Sequence, residues 1–216
     1  PLVEAWGFGV NTHQIPPDSL KVKKLLNCTG SHLLSIKNNW LFKNNNCVQI
    51  DVNGIAQGYS ADVLANFLLS KNINSFIVEI GGEIVAKGKK PDGTKWLVGI
   101  EKPGANSLKP VIQSAFFLEN AATTTSGNYR RFYENNGKTV SHTINPLTGY
   151  PVENELIAVT VTAPDAITAD ACDNILMLLG LKNSINFLKN HPELGAYFIY
   201  QSANGEIKDT AVSFSF

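Results

Sequence analysis

Three oxygen-bearing side chains lie three and four residues apart in the otherwise apolar stretch ITADACDNILMLLG, residues 167–180. The stretch has helical character, and at about 100° per residue Asp170, Asp173 and Asn174 fall in one arc of the helix. Carboxylate and amide oxygens at this spacing can converge on a hard cation such as Mg²⁺. The same spacing fits a solvated face with acids near the helix N-terminus, where Thr168 is the expected N-cap. The residues alone leave both interpretations open.

A histidine precedes a rigid turn in SHTINPLTGYP, residues 141–151. His142 is expected near the end of a strand, just before the turn at Asn145 and Pro146. A single strand histidine is more often structural than catalytic, yet one held beside a rigid turn can act as a general base. No Ser-His-Asp or Cys-His arrangement is evident from the spacing.

Two glycine-containing stretches also call for an explanation. DVNGIAQGYSAD, residues 51–62, joins a strand to a helix through Gly54 and Gly58. Glycines there permit either an ordinary turn or close approach of the backbone to a ligand. VEIGGEI, residues 78–84, contains either a bulge or a hairpin turn.

The composition is that of a globular protein. A chain of 216 residues, 44% hydrophobic and 17% charged, can bury a sizeable core, and its charge content is too low for a disordered protein. The 18 basic and 18 acidic residues balance, so the overall charge gives no reason to expect a nucleic-acid partner or an anionic membrane surface. The three cysteines have no metal-ligand spacing, and their odd number predicts no disulfide framework.

Clustered strands and a few helices predict an α+β fold without Rossmann or Walker glycine loops. Helices are expected at residues 18–26, 60–72, 167–180 and 184–189. Strands are expected at residues 31–36, 40–42, 75–80, 95–100, 111–118, 130–133, 140–144, 156–163, 196–201 and 210–216, with a hairpin turn at residues 134–137.

Six segments, taken in order, resemble the ApbE family, the FAD:protein FMN transferases once described as thiamine-biosynthesis lipoproteins. They are PLVEAWGFG, DVNGIAQGYSAD, FIVEIGGEIVAKG, TSGNYRRF, SHTINPLTGYPV and TADACDNILMLLG. The resemblance implies a single α+β domain over residues 1–216, with antiparallel-rich sheets, packed helices and FAD in a cleft. Family members carry a further segment before Trp-Gly-Phe-Gly, so we expect the chain to lack its N-terminal portion and one wall of the flavin pocket.

The resemblance also implies a Mg²⁺-dependent phosphotransferase. Such an enzyme cleaves the pyrophosphate of FAD, releases AMP and attaches FMN to a Thr or Ser of an acceptor protein. The implied acceptor is a flavoprotein subunit of a membrane redox complex, and the implied location is the periplasm or cell envelope with a lipid anchor. An FAD pyrophosphatase and a non-catalytic flavin-binding module are the alternatives.

Carried over by position, the resemblance assigns the metal site to Asp170 and Asn174, with Asp173 beside them and the backbone carbonyl of Gly54 opposite. Many members have Thr where this chain has Asn174, but an amide oxygen is also a suitable Mg²⁺ ligand.

The resemblance assigns the flavin contacts to Asp51, Gln57 and Ile144. It makes His142 the base that activates the acceptor hydroxyl.

Overall fold

The computed structural model describes residues 1–104, 111–129, 131–135 and 137–214. Its helices are α1 (Leu2–Ala5), α2 (Ser19–Leu26), α3 (Ala56–Ser70) and α4 (Ala166–Leu188), with a 3₁₀ turn at Ser31–Leu33. Its strands are β1 (Leu34–Lys37), β2 (Trp40–Lys43), β3 (Phe76–Ile80), β4 (Glu83–Lys87), β5 (Trp96–Glu101), β6 (Ile112–Leu118), β7 (Ala121–Gly127), β8 (Phe132–Asn135), β9 (Lys138–Ser141), β10 (Leu156–Ala163), β11 (Gly195–Gln201) and β12 (Ile207–Val212).

The predicted α+β class is confirmed, and the named strands pair antiparallel throughout. Gly81 and Gly82 form the two-residue turn between β3 and β4, with φ of +68° and +112°, so the hairpin alternative for VEIGGEI is correct. The predicted hairpin after residue 133 is also found, as β8 and β9. Residues 130, 136, 215 and 216, within predicted strands or this turn, lie outside the described residues.

Contacts within the chain define two compact units, which are described separately. Unit 1 comprises Pro1–Asp51 and Arg130–Glu153, and unit 2 comprises Val52–Tyr129 and Asn154–Phe216. The single domain over residues 1–216 stays a prediction.

A six-stranded sheet with the order β12-β11-β10-β7-β4-β3 forms the centre of unit 2. Helix α4 packs against β7 and β10, and α3 packs against β3, β4 and α4. Alternate residues of β10 enter different cores, because successive side chains of a strand point to opposite faces. Val159 and Val161 pack with Leu176 of α4, whereas Ala158 packs with Phe116 of the β5–β6 hairpin. The sheet therefore separates a helical layer from a hairpin layer.

Strand β7 lies near the middle of this sheet, although its sequence AATTTSG gave no strand prediction. Thr124 pairs with Val161, and Ser126 pairs with Val159. Directly paired residues share a face of the sheet, so both hydroxyls lie on the α4 side. The sequence signal was weak because small side chains show no apolar alternation.

Unit 1 has a small core that joins the PLVEAWGFG and SHTINPLTGYP segments. Trp6 donates its Nε1–H to the carbonyl of Gly149 at 2.8 Å and packs edge-on against Tyr150. Gly149 has a φ of +80°, and a Cβ there would lie 2.6 Å from Cγ1 of Val22. The turn can pack this closely on α2 only with glycine at that position.

The expectation of no disulfide is wrong, because Cys28 and Cys47 are bonded to each other. The bond ties the end of α2 to the segment after β2. Cys172 is free and buried in α4. The odd cysteine count did not predict the disulfide because one of the three cysteines, Cys172, is a free core residue and the other two form the bond.

The expected N-cap of the 167–180 helix is also wrong. Helix α4 begins at Ala166, and Asp165 is the N-cap, its carboxylate accepting from the N–H of Thr168. Gly180, with φ of 74°, interrupts the helix, in agreement with the predicted end of one helical segment there. None of the helices in the described part of the chain combines the length and apolar character needed to cross a bilayer.

Loss of the disulfide should destabilise unit 1. The bonded cysteines are 19 residues apart, and a cross-link closing a loop of that size stabilises a protein by roughly 3 kcal/mol. We expect Cys28→Ser/Cys47→Ser to lower the melting temperature in a calorimetric scan. Reductant should lower the melting temperature of the parent chain and leave the double variant unchanged; equal melting of both oxidised proteins would contradict a stabilising role.

Candidate functional site

The carboxylate of Asp170 lies at the N-terminus of another helix. Its Oδ2 accepts a hydrogen bond of 3.0 Å from the N–H of Gly58, which belongs to the first turn of α3. First-turn N–H groups have no partner within their own helix, and the helix dipole favours an anion there. Asp170 is nevertheless only 4% exposed. Burial raises the pKa of Asp170, and the Gly58 hydrogen bond partly offsets the rise.

Close contact between α3 and α4 creates this arrangement. A Cβ at Gly58 would lie 2.4 Å from the carbonyl oxygen of Ala166 and 2.8 Å from Cβ of Asp170. Asp62, one turn further along α3, accepts hydrogen bonds from the N–H groups of Ala166 and Ile167 at 2.9 and 2.8 Å. The absence of a side chain at Gly58 therefore lets α3 approach the start of α4, and the Asp62 carboxylate holds the two helices together.

Asp173 is more deeply buried and less well paired. It is 2% exposed, and among the described residues its Oδ1 has no hydrogen-bond partner. Burial raises the pKa of Asp173 well above its usual value, and the negative charges of Asp170 and Glu83 act in the same direction. The neighbouring hydroxyl of Thr124 opposes the rise, although its Oγ1 makes no hydrogen bond of normal geometry with any residue that the structure describes. A buried carboxylate oxygen without a donor is costly unless a proton or cation compensates it.

Asn174 completes the arc. Its Nδ2 donates to the backbone carbonyl of Asp170 at 2.8 Å, and its Oδ1 accepts a long hydrogen bond of 3.5 Å from Ser126. Gly54 approaches the same amide, since a Cβ built on Gly54 would lie 3.6 Å from Nδ2. The structure thus brings together the four residues assigned to the metal by sequence, with Gly58, Thr124 and Ser126 as neighbours that the sequence did not identify.

The hypothesis of a solvated helix face is wrong, because both carboxylates are buried. No group of three or more His, Cys, Asp or Glu side chains suited to holding a metal occurs in residues 1–104, 111–129, 131–135 or 137–214. The further oxygen-bearing groups beside the two carboxylates are the amide of Asn174 and the backbone of Gly54.

His142 belongs to unit 1 and follows the last residue of β9. Its Nδ1 lies 3.0 Å from the carbonyl oxygen of Arg131. A carbonyl oxygen only accepts, so Nδ1 carries the hydrogen and Nε2 of the neutral ring carries the lone pair. Burial lowers the pKa of His142, the charge of Arg131 lowers it further, and the hydrogen bond acts in the opposite direction.

The three residues assigned to flavin are distributed between the units. Asp51 and Ile144 belong to unit 1 and Gln57 to unit 2. Ile144 lies beyond β9, in an isolated bridge with Pro151, and is partly buried against the small core of unit 1. Asp51 and Gln57 are exposed, and the side chain of Gln57 lies beside Gly81 of the β3–β4 turn.

A model of the ApbE family matches residues 1–198. A FAD:protein FMN transferase of Vibrio cholerae is 38% identical over 186 residues, which are 83% of this chain and 54% of that protein. Another from Haemophilus influenzae is 34% identical over 221 residues, covering 99% of this chain and 63% of its own length.

Solved structures include the flavin transferase ApbE from Vibrio cholerae, with a TM-score of 0.85 and 33% identity. That match covers 99% of this chain and 67% of the Vibrio chain. The chain therefore spans between about half and two thirds of the length of the relatives named here.

Any side chain at position 58 should destabilise the protein. We expect Gly58→Ala to lower the free energy of unfolding by about 1–3 kcal/mol, the usual cost of overpacking, even though Ala is the better helix former. Gly54→Ala is the matched control, because its Cβ would make only an ordinary contact at 3.6 Å. Urea unfolding of both variants provides the measurement; similar losses for the two would contradict a special contact at Gly58.

Proposed function

Because this chain belongs to the ApbE family, we propose that it transfers FMN from FAD to a Thr or Ser of an acceptor protein and releases AMP. The relatives named FAD:protein FMN transferase support this reaction type. The α+β architecture that the chain shares with the solved flavin transferase supports it as well.

The observation that carries the proposal is the pair of buried carboxylates on α4. Asp170 and Asp173 are nearly inaccessible, and Oδ1 of Asp173 lacks a hydrogen-bond partner among the described residues. The nearby Glu83 adds negative charge. Ordinary core packing gains nothing from such a cluster, whereas a divalent cation would compensate it.

The residues fit Mg²⁺ by donor chemistry. Asp170, Asp173, the amide of Asn174 and the carbonyl of Gly54 offer only hard oxygen donors besides one amide nitrogen. Asn174 now directs Nδ2 toward Asp170 and Gly54, so its amide must turn over to present Oδ1. Bound Mg²⁺ would supply charge neutralisation at the pyrophosphate of FAD.

The protein residues have separate roles in this reaction. The N–H of Gly58 and the dipole of α3 keep the Asp170 carboxylate in place and favour its ionised form. Asp51, Gln57 and Ile144 are proposed to contact the flavin. Positioning of FAD matters because phosphoryl transfer depends mainly on alignment and on charge stabilisation.

His142 is proposed to accept the proton of the acceptor hydroxyl. Its Nδ1–H is held by the Arg131 carbonyl, which leaves the lone pair of Nε2 for that proton. The lowered pKa keeps the ring neutral at physiological pH, as a general base requires.

The proposed acceptor is a flavoprotein subunit of a membrane redox complex, and the proposed location is the periplasm or cell envelope. The Cys28–Cys47 disulfide supports this location, because structural disulfides persist in oxidising compartments and are rare in the cytosol.

Incubation with FAD and Mg²⁺, with and without an acceptor domain, tests the reaction. The assay should use both the 216-residue chain and the longest natural form of the protein. We expect AMP by chromatography, an acceptor whose mass rises by one FMN, and loss of at least about a hundredfold in rate for Asp170→Asn. Asp209→Asn, on β12, is the matched control.

Each other outcome of this assay has a defined meaning. AMP accompanied only by free FMN would identify a pyrophosphatase. Absence of AMP from the longest form would contradict catalysis and leave a flavin-binding module. Full activity of Asp170→Asn would contradict the metal assignment.

The pH dependence of transfer should report His142. Because its folded pKa lies below 6.5, the neutral base persists in mild acid, and the rate should fall only as the pH drops through that lowered value. His142→Ala should slow transfer while FAD binding persists, whereas His191→Gln, which alters a histidine paired with Glu193, should change neither. Equal loss of binding and transfer in His142→Ala would indicate a structural histidine.

A further inference from the structure

The β1–β2 hairpin of unit 1 exposes several large apolar side chains. Ile36 is 75% exposed and Trp40 73%, and Leu41 and Phe42 are each about half exposed at 48% and 49%. Every residue of β2 is exposed. A two-stranded hairpin is marginally stable in water by itself, so its exposed apolar surface indicates an interaction site.

These apolar residues occupy both faces of the hairpin. Ile36 pairs with Leu41 on one face, and Ser35 pairs with Phe42 on the other. Trp40 pairs with Lys37 and shares the face of Phe42. A flat protein partner would cover one face, whereas a medium that surrounds the hairpin would accommodate both.

The sequence segment that contains the hairpin carries charge of one sign only. Residues 19–50 contain five lysines and no Asp or Glu, although the whole chain has 18 basic and 18 acidic residues. All five of these lysines, at positions 21, 23, 24, 37 and 43, are exposed. The local surplus of positive charge is complementary to an anionic surface.

The hairpin is also held in a defined shape. The Cys28–Cys47 bond closes the loop that contains it, and Lys43 donates to the carbonyl of Val48 at 2.9 Å. Asn38 and Asn39 form its two-residue turn with φ of 50° and 61°. An ordered loop loses little conformational entropy on binding.

From these observations we propose that the hairpin binds the headgroup region of an anionic lipid bilayer. Trp40 and its apolar neighbours enter the interface, where tryptophan is favoured, and the lysines face lipid phosphates. Insertion is shallow, because the two Asn side chains at the turn and the unpaired outer strand edges must stay hydrated. None of the hairpin residues is proposed to act in flavin transfer, so a lipid-binding test has a readout separate from that activity.

Vesicle flotation of the disulfide-intact chain tests the proposal. We expect binding to vesicles of phosphatidylglycerol and phosphatidylcholine, little binding to phosphatidylcholine alone, and release at about 1 M salt, where charges are screened. Trp40→Ser should weaken binding about tenfold, the equivalent of burying part of one large apolar side chain. The control is Ile207→Ser, which also replaces an exposed apolar side chain by serine, at a 58% exposed position of β12. This variant should bind normally.

Tryptophan fluorescence gives a second readout. Trp40 is the exposed member of the three tryptophans, so anionic vesicles should shift the emission to shorter wavelength. Trp40→Phe should bind without this shift. Lys37→Glu should weaken binding to anionic vesicles by at least about fivefold. This second variant still tests the proposal if Trp40→Ser fails to fold.

Three outcomes would overturn the proposal: no binding to anionic vesicles, equal binding to neutral ones, or unchanged binding by both folded hairpin variants. In the first case, saturable binding of an acidic protein through Trp40 would assign the surface to a protein partner instead.

Discussion

The contact between the N-terminus of α3 and the first turns of α4 is the constraint on which the candidate site depends. Gly58 allows the two helices to approach so closely that its N–H reaches Asp170. Asp62 reinforces the contact by accepting from the first N–H groups of α4. The same few residues therefore set the distance between the helices and place a carboxylate in a buried position beside a favourable dipole.

Burial of the neighbouring Asp173 removes its carboxylate from water, and the hydrogen bonds of the surrounding described residues do not fully compensate this loss. The negative charges of Asp170 and Glu83 act on its carboxylate, and one of its oxygens lacks a donor among the described residues. Proteins retain a buried, poorly paired carboxylate mainly at functional sites, where a ligand or cation compensates its charge. The unfavourable burial of these negative charges in unit 2 is thus the physical reason for proposing that the site requires a cation.

Unit 1 is organised by different means. A small aromatic core, a glycine turn packed on α2 and one disulfide hold a segment that has few helices and short strands. This framework supports His142 just after β9, where its Nδ1 contacts the Arg131 carbonyl, and it carries the exposed β1–β2 hairpin. A small core can support such features because the cross-link limits the conformations of the unfolded chain.

The α+β class, the interruption of α4 at Gly180, the β3–β4 hairpin turn and the family were all predictable from the sequence alone. These features depend on local spacing and on motifs, which are legible in one dimension. Four features could be seen only in the folded chain: the burial of Asp170 and Asp173, the capping of α4 by Asp165 rather than Thr168, the strand β7 and the Cys28–Cys47 bond. Helical spacing gives the angle between side chains but not what packs against them, and a disulfide depends on distances that only the folded chain sets.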